Sequence, residues 1–498
     1  MLKCIRYSTF MLSIFCLITG ITMHDYNWIL FCDLFLLIQN IIFSFERIKS
    51  RILFLAFQGT MFLFLLSRPT IGFLRGNNWQ YSDDGQMIFS FVSIGISLLF
   101  MMFGAICWEE HREKTVRKNG LTKKKNPNVF KERYIIILRN VSLVLYLVSF
   151  VSYMMIQMDK VLFMRGKDYV DFYTTYESNM NYIVYLLSSY MPCAMAIYLS
   201  TMPKKKPTFC VLALFLISEI PLIAFGKRSQ LMLNTIFILM YYFIRDFSGD
   251  KEKWIGKIEK MLLVICIPLC ILLLGAMNYT RSGKEVTLGL GALIVDFFFK
   301  QGVSFNVLNI AHAAIPNLPD RAFSFYSIGN FVDYILHGTI AQKLFGAVSL
   351  GTGNNVIKAT QGHVFAHCMS YVTRGQEYLD GNGWGSSYLL ETYVDFGWIG
   401  VIVYSVLLGI LLIALIDIVK KRNLLSVIAL MSLINLYFTP RGGATEFLEV
   451  LIRPKFWMPV IFCYFVAGLL TRHYSFSSLK SDEYTIKSKE HARKMCEN

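Results

Sequence analysis

The stretch 381–400, GNGWGSSYLLETYVDFGWIG, holds the densest set of groups able to move a proton. Its glycines permit backbone shapes closed to other residues, and Ser386 or Ser387 follows them as a natural helix N-cap. A helix starting there carries Tyr388, Glu391 and Asp395 at i, i+3 and i+7. One face then presents a phenol and two carboxylates just ahead of an apolar run that begins at Trp398. A carboxylate at such a boundary is partly desolvated, which moves its pKa toward the range of a general base. The plainer role for Glu391 is a structural ion pair with an arginine.

A second set is cationic. Lys227 and Arg228 in IAFGKRSQLML sit between two apolar runs with only Gly226 and Ser229 as polar neighbours. Cations so close to hydrocarbon are costly and mark functional sites by default, the alternative being that they snorkel to the headgroups. Arg281 in MNYTRSGK follows one apolar run, and Arg441 in YFTPRGGATEF ends another. A guanidinium grips phosphate oxygens bidentately and stays charged when partly desolvated, so span-end arginines facing one side would receive a diphosphate. Arg453 with Lys455, Arg68, and Arg165 with Lys167 are weaker members of the set.

His363 and His367 stand four residues apart, the spacing of a metal pair on a helix. No HExxH pattern and no third ligand accompany them, and the chain has no DxD motif of the kind that holds a metal-bound nucleotide sugar. No metal and no cofactor are therefore expected, and His367 is read as an acid/base or hydrogen-bonding group. The segment 158–182 mixes Tyr169, Phe172, Tyr173 and Tyr176 with Asp168 and Asp171. Rings and carboxylates together suit a sugar, and an interfacial aromatic belt explains them equally well.

These groups must be positioned by membrane helices. Of the 498 residues 55% are hydrophobic and only 16% charged, against about 25% charged in soluble domains. Apolar runs of spanning length recur at about 7–22, 28–45, 51–67, 87–107, 134–157, 182–201, 208–225, 230–244, 259–278, 398–419, 424–438 and 456–471. The first is expected to be a retained span, since no small-x-small cleavage site follows it. The net charge of +16 comes from short basic clusters between these runs, not from a soluble basic module, which argues against a nucleic-acid partner. With the N-terminus placed in the cytoplasm, the cytoplasmic segments hold 31 of the 49 Lys and Arg residues, so both termini are expected inside. The 11 cysteines form no CxxC pair and lie mostly within apolar runs, as small buried hydrophobes do. The runs 288–299 and 328–348, interrupted by Asp296, Lys300, Asp333, His337 and Lys343, suit interfacial helices. The fold class is thus an all-α polytopic membrane protein of about twelve transmembrane helices with one large periplasmic loop containing interfacial helices. Its parts are nine spans over 1–278, the loop over 279–397, three spans over 398–471 and a cytoplasmic tail over 472–498.

The series GKRSQLML at 226–233, NYTRSG at 278–283, GNGWGSSYLLETYVDFGWIGV at 381–401 and TPRGG at 439–443, set in this layout, resembles the Wzy-type O-antigen and capsular polysaccharide polymerases. The likeness covers roughly the second half of the chain, the first half matching in hydropathy alone. Arg374 and Gly385 also fit an R-x10-G spacing described for some of these polymerases. The resemblance implies a metal-independent glycosyltransferase of the bacterial inner membrane, active in lipopolysaccharide and related polysaccharide biosynthesis. It would join polyprenyl-diphosphate-linked oligosaccharides, with undecaprenyl diphosphate as the leaving carrier, on the periplasmic face. Its partners would be these donor and acceptor lipids, membrane lipids and a chain-length regulator protein. Joined to the residue reading, Arg228, Arg281, Arg441 and Lys227 are expected to hold the diphosphate, Glu391 or His367 to take the acceptor proton, and Tyr388, Asp395 and Arg374 to bind substrate. An O-antigen ligase, a lipid-linked oligosaccharide flippase or transporter, and a membrane-bound O-acyltransferase are the competing functions.

Overall fold

A computed structural model of the chain describes residues 1–76, 83–119, 129–165, 176, 178–223, 229–249, 252–280, 285–321 and 323–473. Among these, every regular element is helical. The first half comprises α1 (Leu2–Met23), α2 (Tyr26–Glu46), α3 (Ile48–Met61), a π turn over Phe62–Leu66, α4 (Ser67–Leu74), α5 (Asp84–Asn119) and α6 (Val129–Phe163). There follow α7 (Tyr182–Ser200), α8 (Lys205–Ile217), α9 (Ile220–Ile223), α10 (Ser229–Phe247), α11 (Lys257–Thr280), α12 (Leu290–Gln301) and α13 (Val303–Ala314). The last third holds α14 (Gly329–His337), α15 (Thr339–Phe345), α16 (Val356–Gln361), α17 (Phe365–Arg374), α18 (Gln376–Leu379), α19 (Tyr388–Val419), α20 (Leu424–Leu436) and α21 (Pro454–His473).

Helices are what a lipid environment selects, because each satisfies its own backbone polar groups. Eleven stretches are long and apolar enough to cross a membrane by length and composition. Ten coincide with expected runs. The others expected, α10 and the 13-residue α20, do not meet both measures, and α20 is instead buried against α7, α10 and α19. In their place stands Leu290–Asn317, which includes α12 and α13 and which the sequence assigned in part to an interfacial helix. This stretch bends at Gly302, where a Cβ would lie 2.6 Å from the Arg68 backbone nitrogen, and Ser67 Oγ donates to the Phe298 carbonyl at 2.8 Å. The start of α4 thus braces the join between the two helices.

Charged groups of α1, α2, α3, α5 and α19 pair with one another. Arg51, 5% exposed, donates to Glu109 at 2.9 and 2.5 Å and to the Phe43 carbonyl. Arg6 pairs with Glu46 at 3.2 Å and Arg112 with Asp417 at 3.2 Å. The buried Arg51 charge is tolerated because it is both paired and hydrogen-bonded.

The helix that carries Glu391 is set by its crossing with α5. A Cβ on Gly104 would sit 2.1 Å from the Val406 carbonyl oxygen, and one on Gly409 would sit 2.0 Å from that of Met101. Two backbones meet here with no side chain between them, the close approach that small residues permit in membrane bundles. Gly409→Val forces α5 and α19 apart. We expect a loss of about 1–3 kcal/mol or more from overpacking, read as a lower thermal midpoint of the detergent-solubilised protein and reduced membrane levels.

Candidate active site

Ser387 caps α19, its hydroxyl accepting from the Leu389 N–H, so the helix begins where the glycine-serine run predicts. It then breaks at Gly397, whose φ of 61° and ψ of −154° lie outside helical space and in a region that favours glycine. The short segment before the break is thereby set off from the long apolar segment after it. Glu391 lies in that first segment and is 3% exposed. One carboxyl oxygen accepts from Ser386 Oγ at 2.7 Å and the other from the Ala444 backbone N–H at 2.7 Å. Gly443 packs against the same carboxyl group, where a Cβ would meet both oxygens at 3.2 Å. The Tyr404 hydroxyl donates to the Ala444 carbonyl and fixes the loop from behind. Among the described residues no cation forms an ion pair with Glu391; its described partners are a serine hydroxyl and a backbone N–H.

Tyr388 and Asp395 have other duties than the shared substrate face the spacing predicts. Tyr388 is fully buried, its hydroxyl 2.5 Å from Ser97 Oγ on α5, which Ser405 Oγ reaches in turn at 2.9 Å. Asp395 accepts four hydrogen bonds: from Ser324 Oγ, the Tyr326 and Ser327 N–H groups and Ser327 Oγ, at 2.7, 2.9, 2.7 and 2.7 Å. It anchors the strap 323–328, and Thr445 Oγ1 holds the same strap through the Ser327 carbonyl at 2.7 Å. Both residues position the helix and its neighbours, and neither offers an unused polar group to a substrate.

Among the cations, Lys227, Arg228 and Arg281 lie outside the described residues, as do Lys167, Asp168, Tyr169, Asp171, Phe172 and Tyr173 of the aromatic segment. The Tyr176 hydroxyl donates to Asp159 at 2.8 Å. Arg441 donates to the Gln301 side-chain oxygen at 3.0 Å, at the join of α12 and α13, and its guanidinium lies 5.8 Å from the Phe64 ring centre. Its carbonyl oxygen is 3.2 Å from where a Cβ on Gly385 would stand, so Arg441 and the Ser386–Glu391 turn share one wall. Arg374 pairs with Glu377 at 2.6 Å and stacks over Trp384 at 3.8 Å. It pins the glycine-rich segment in place, a role that requires no substrate contact.

The two histidines do not share a helix face, because α17 starts at Phe365, after His363. His363 Nδ1 lies 3.1 Å from Asp333 Oδ1, whereas His367 Nδ1 lies 3.0 Å from the Tyr378 hydroxyl. Burial, aided by the Lys358 charge, holds the His367 imidazole down at about 4. The ring is neutral at physiological pH and a weak base, suited to hydrogen bonding. Its proton is bound more tightly in the unfolded chain, near pH 6.5, so its contribution to stability is complete above that pH and is lost as pH falls toward 4. Between those limits the thermal midpoint of the wild type should fall more steeply than that of His367→Gln, by the equivalent of about 2 kcal/mol.

A family model described as O-antigen polysaccharide polymerase Wzy matches residues 5–473. The chain belongs to this family. No curated protein and no solved structure matches it. Wzy polymerases act on lipid-linked oligosaccharide repeat units, and the family match extends over the first half of the chain, where the sequence resembled the family in hydropathy alone.

Several groups of this chain were not legible from spacing. A cavity of about 610 Å³ is walled by Phe323, Phe325 and Ile328 of the strap, by Val332, Ile335 and Leu336 of α14, and by Arg321, Thr360, Gln361 and His363. It is joined to the Glu391 region through the strap that Asp395 holds. Arg321 donates to the Thr360 carbonyl at 2.7 Å at its edge. Beside the first segment of α19, Phe89 stacks on His312 at 4.2 Å and meets Tyr393 at 4.7 Å. The Gly442–Gly443 pair did carry a signal, since adjacent glycines often mark close backbone approach, here to Glu391.

Proposed function

We propose that this chain joins polyprenyl-diphosphate-linked oligosaccharide units on the periplasmic face of the bacterial inner membrane. The acceptor sugar hydroxyl attacks the anomeric carbon of the donor. Its proton passes to Glu391, a glycosidic C–O bond forms, and the bond from carbon to diphosphate breaks with its electron pair leaving on polyprenyl diphosphate. Arg441, with Arg228, Arg281 and Lys227 from neighbouring span ends, stabilises the charge that grows on the leaving diphosphate. Glu391 is preferred to His367 as the base because the carboxyl forms no ion pair among the described residues, whereas the imidazole stays neutral and weakly basic.

The observation that carries this reading is the family match over nearly the whole chain together with a buried carboxyl that accepts from Ser386 and the Ala444 backbone and has no ion pair among the described residues. The test is reconstitution of the purified chain in vesicles with lipid-diphosphate-linked repeat units. Lengthened glycan on lipid with release of polyprenyl diphosphate is the expected product. Translocation without bond formation would overturn the proposal. In a strain lacking the native gene, Arg228→Lys should shorten the glycan ladder at unchanged protein level, because an ammonium cannot grip two phosphate oxygens at once.

A further inference from the structure

We propose that Asp333, His337 and His363 form a zinc-type metal site that ties α14 to the segment leading into α17. This goes beyond the polymerase reading, and the site lies apart from the residues assigned there. Asp333 and His337 are one helical turn apart on α14, and His363 arrives from the loop after α16. One ligand atom of each lies within 4.8 Å of the other two.

Two glycines allow this convergence. A Cβ on Gly329 would fall 2.0 Å from the His363 carbonyl oxygen, and one on Gly362 would fall 3.1 Å from Asp333 Oδ2. The backbones of α14 and 362–363 therefore touch, with the three side chains gathered beside the contact. The His363 N–H donates to Asp333 Oδ1 at 2.7 Å, which fixes the loop before any ion enters.

The hydrogen bonds leave ligand atoms available. His337 Nδ1 is 2.9 Å from the Val348 carbonyl, which can only accept, so Nδ1 carries the proton and Nε2 keeps its lone pair. A ring nitrogen oriented by a backbone carbonyl through its other N–H is the usual arrangement in metal-binding histidines. The bonds that Asp333 accepts fall on Oδ1, leaving Oδ2 for an ion. Bond lengths of about 2.0–2.2 Å would place tetrahedral ligand atoms about 3.4 Å apart. The His363–Asp333 contact at 3.1 Å holds the two side chains at nearly this spacing, and side-chain rotations that exchange this hydrogen bond for the ion would bring in Oδ2 and His337.

Other charged groups nearby do not complete the cluster. The Lys358 ammonium is held by the Gly353 carbonyl at 2.7 Å, and Arg321 by Thr360. Three protein ligands leave a fourth position for water, as zinc sites of the open kind do. Since α14 and His363 both line the 610 Å³ cavity, a bound ion would tie together two adjoining parts of its wall.

The test uses full-length protein in detergent, purified without a histidine tag, stripped with chelator and titrated with zinc against a competing chromophoric dye. One ion per chain is expected, with affinity reduced at least tenfold in Asp333→Asn and in His337→Ala. Equal stoichiometry and affinity in the His337→Ala/His363→Ala double variant would overturn the site. Should the variants not fold, cobalt titration of the wild type decides. Intense visible absorption from a four-coordinate N/O site supports the proposal, and its absence refutes it. Neither readout depends on polymerisation, so failure here leaves the polymerase reading untouched.

Discussion

Glu391→Gln should abolish the long glycan ladder while leaving protein level and thermal midpoint close to those of the wild type. The glutamine occupies the same space. Its carbonyl oxygen can accept from the Ala444 N–H, and its amide can donate to Ser386 Oγ, whose hydroxyl turns from donor to acceptor. No buried polar group is left unpaired, so the substitution removes basicity and little else. A positioned general base contributes about 10²–10⁴-fold to rate, and polymer yield should fall by at least the lower figure. The measurement is repeat-unit ladder length in deletion cells complemented with the variant, normalised to membrane protein. A normal ladder would remove Glu391 from the reaction. Glu391→Ala is the less informative change, since it orphans the Ala444 N–H at a cost of about 1–3 kcal/mol and confuses folding with chemistry.

What could be read from the sequence divides along a physical line. Local signals held. The Ser387 cap and the start of a long apolar segment after Gly397 follow from residues that act on their own backbone. Hydropathy placed most of the spans because lipid imposes length and composition on each helix separately. Partners were not legible. Glu391 is completed by Ala444, 53 residues on, through a backbone group that carries no side-chain signature. The His363/His367 spacing misled because a helical period has meaning only inside a helix, and α17 begins between them. Asp333 and His337, which do share a helix, looked like interruptions of an apolar run until His363 was brought to them across 30 residues. In Leu290–Asn317, charges at Asp296 and Lys300 suggested a surface helix, yet they pair with each other at 2.9 Å. The Tyr279 hydroxyl donates to Asp296 at 2.8 Å as well. Pairing lowers the cost of keeping such charges beside hydrocarbon, and only the folded chain displays it.

Asp395→Ala should give the opposite pattern to Glu391→Gln, with structure failing before chemistry. The carboxylate holds the Tyr326 and Ser327 N–H groups and two serine hydroxyls at the turn where Phe325 adopts a φ of 49°, unusual for a residue with a side chain. Removing it strands two backbone donors, at about 1–3 kcal/mol each, and releases a strap that must otherwise carry a left-handed residue unaided. The strap bears Phe323, 69% exposed, and Phe325, and without its anchor these rings lose their place on the cavity wall. A drop of several degrees in thermal midpoint and a rise in protease sensitivity near residue 325 are expected, with polymer reduced in proportion to the folded protein. Asp395→Asn should be intermediate, because its single carbonyl oxygen can still accept from one or both backbone N–H groups while the amide turns to a serine hydroxyl. Full stability with lost polymer in both variants would instead return Asp395 to the substrate-binding role that its spacing from Glu391 first suggested. The pair of residues one turn apart on α19 thus differs in partners that sequence spacing alone could not show: Glu391, with no ion pair among the described residues, is the carboxyl proposed for proton transfer, and Asp395 is a carboxylate saturated with donors that hold the wall beside it.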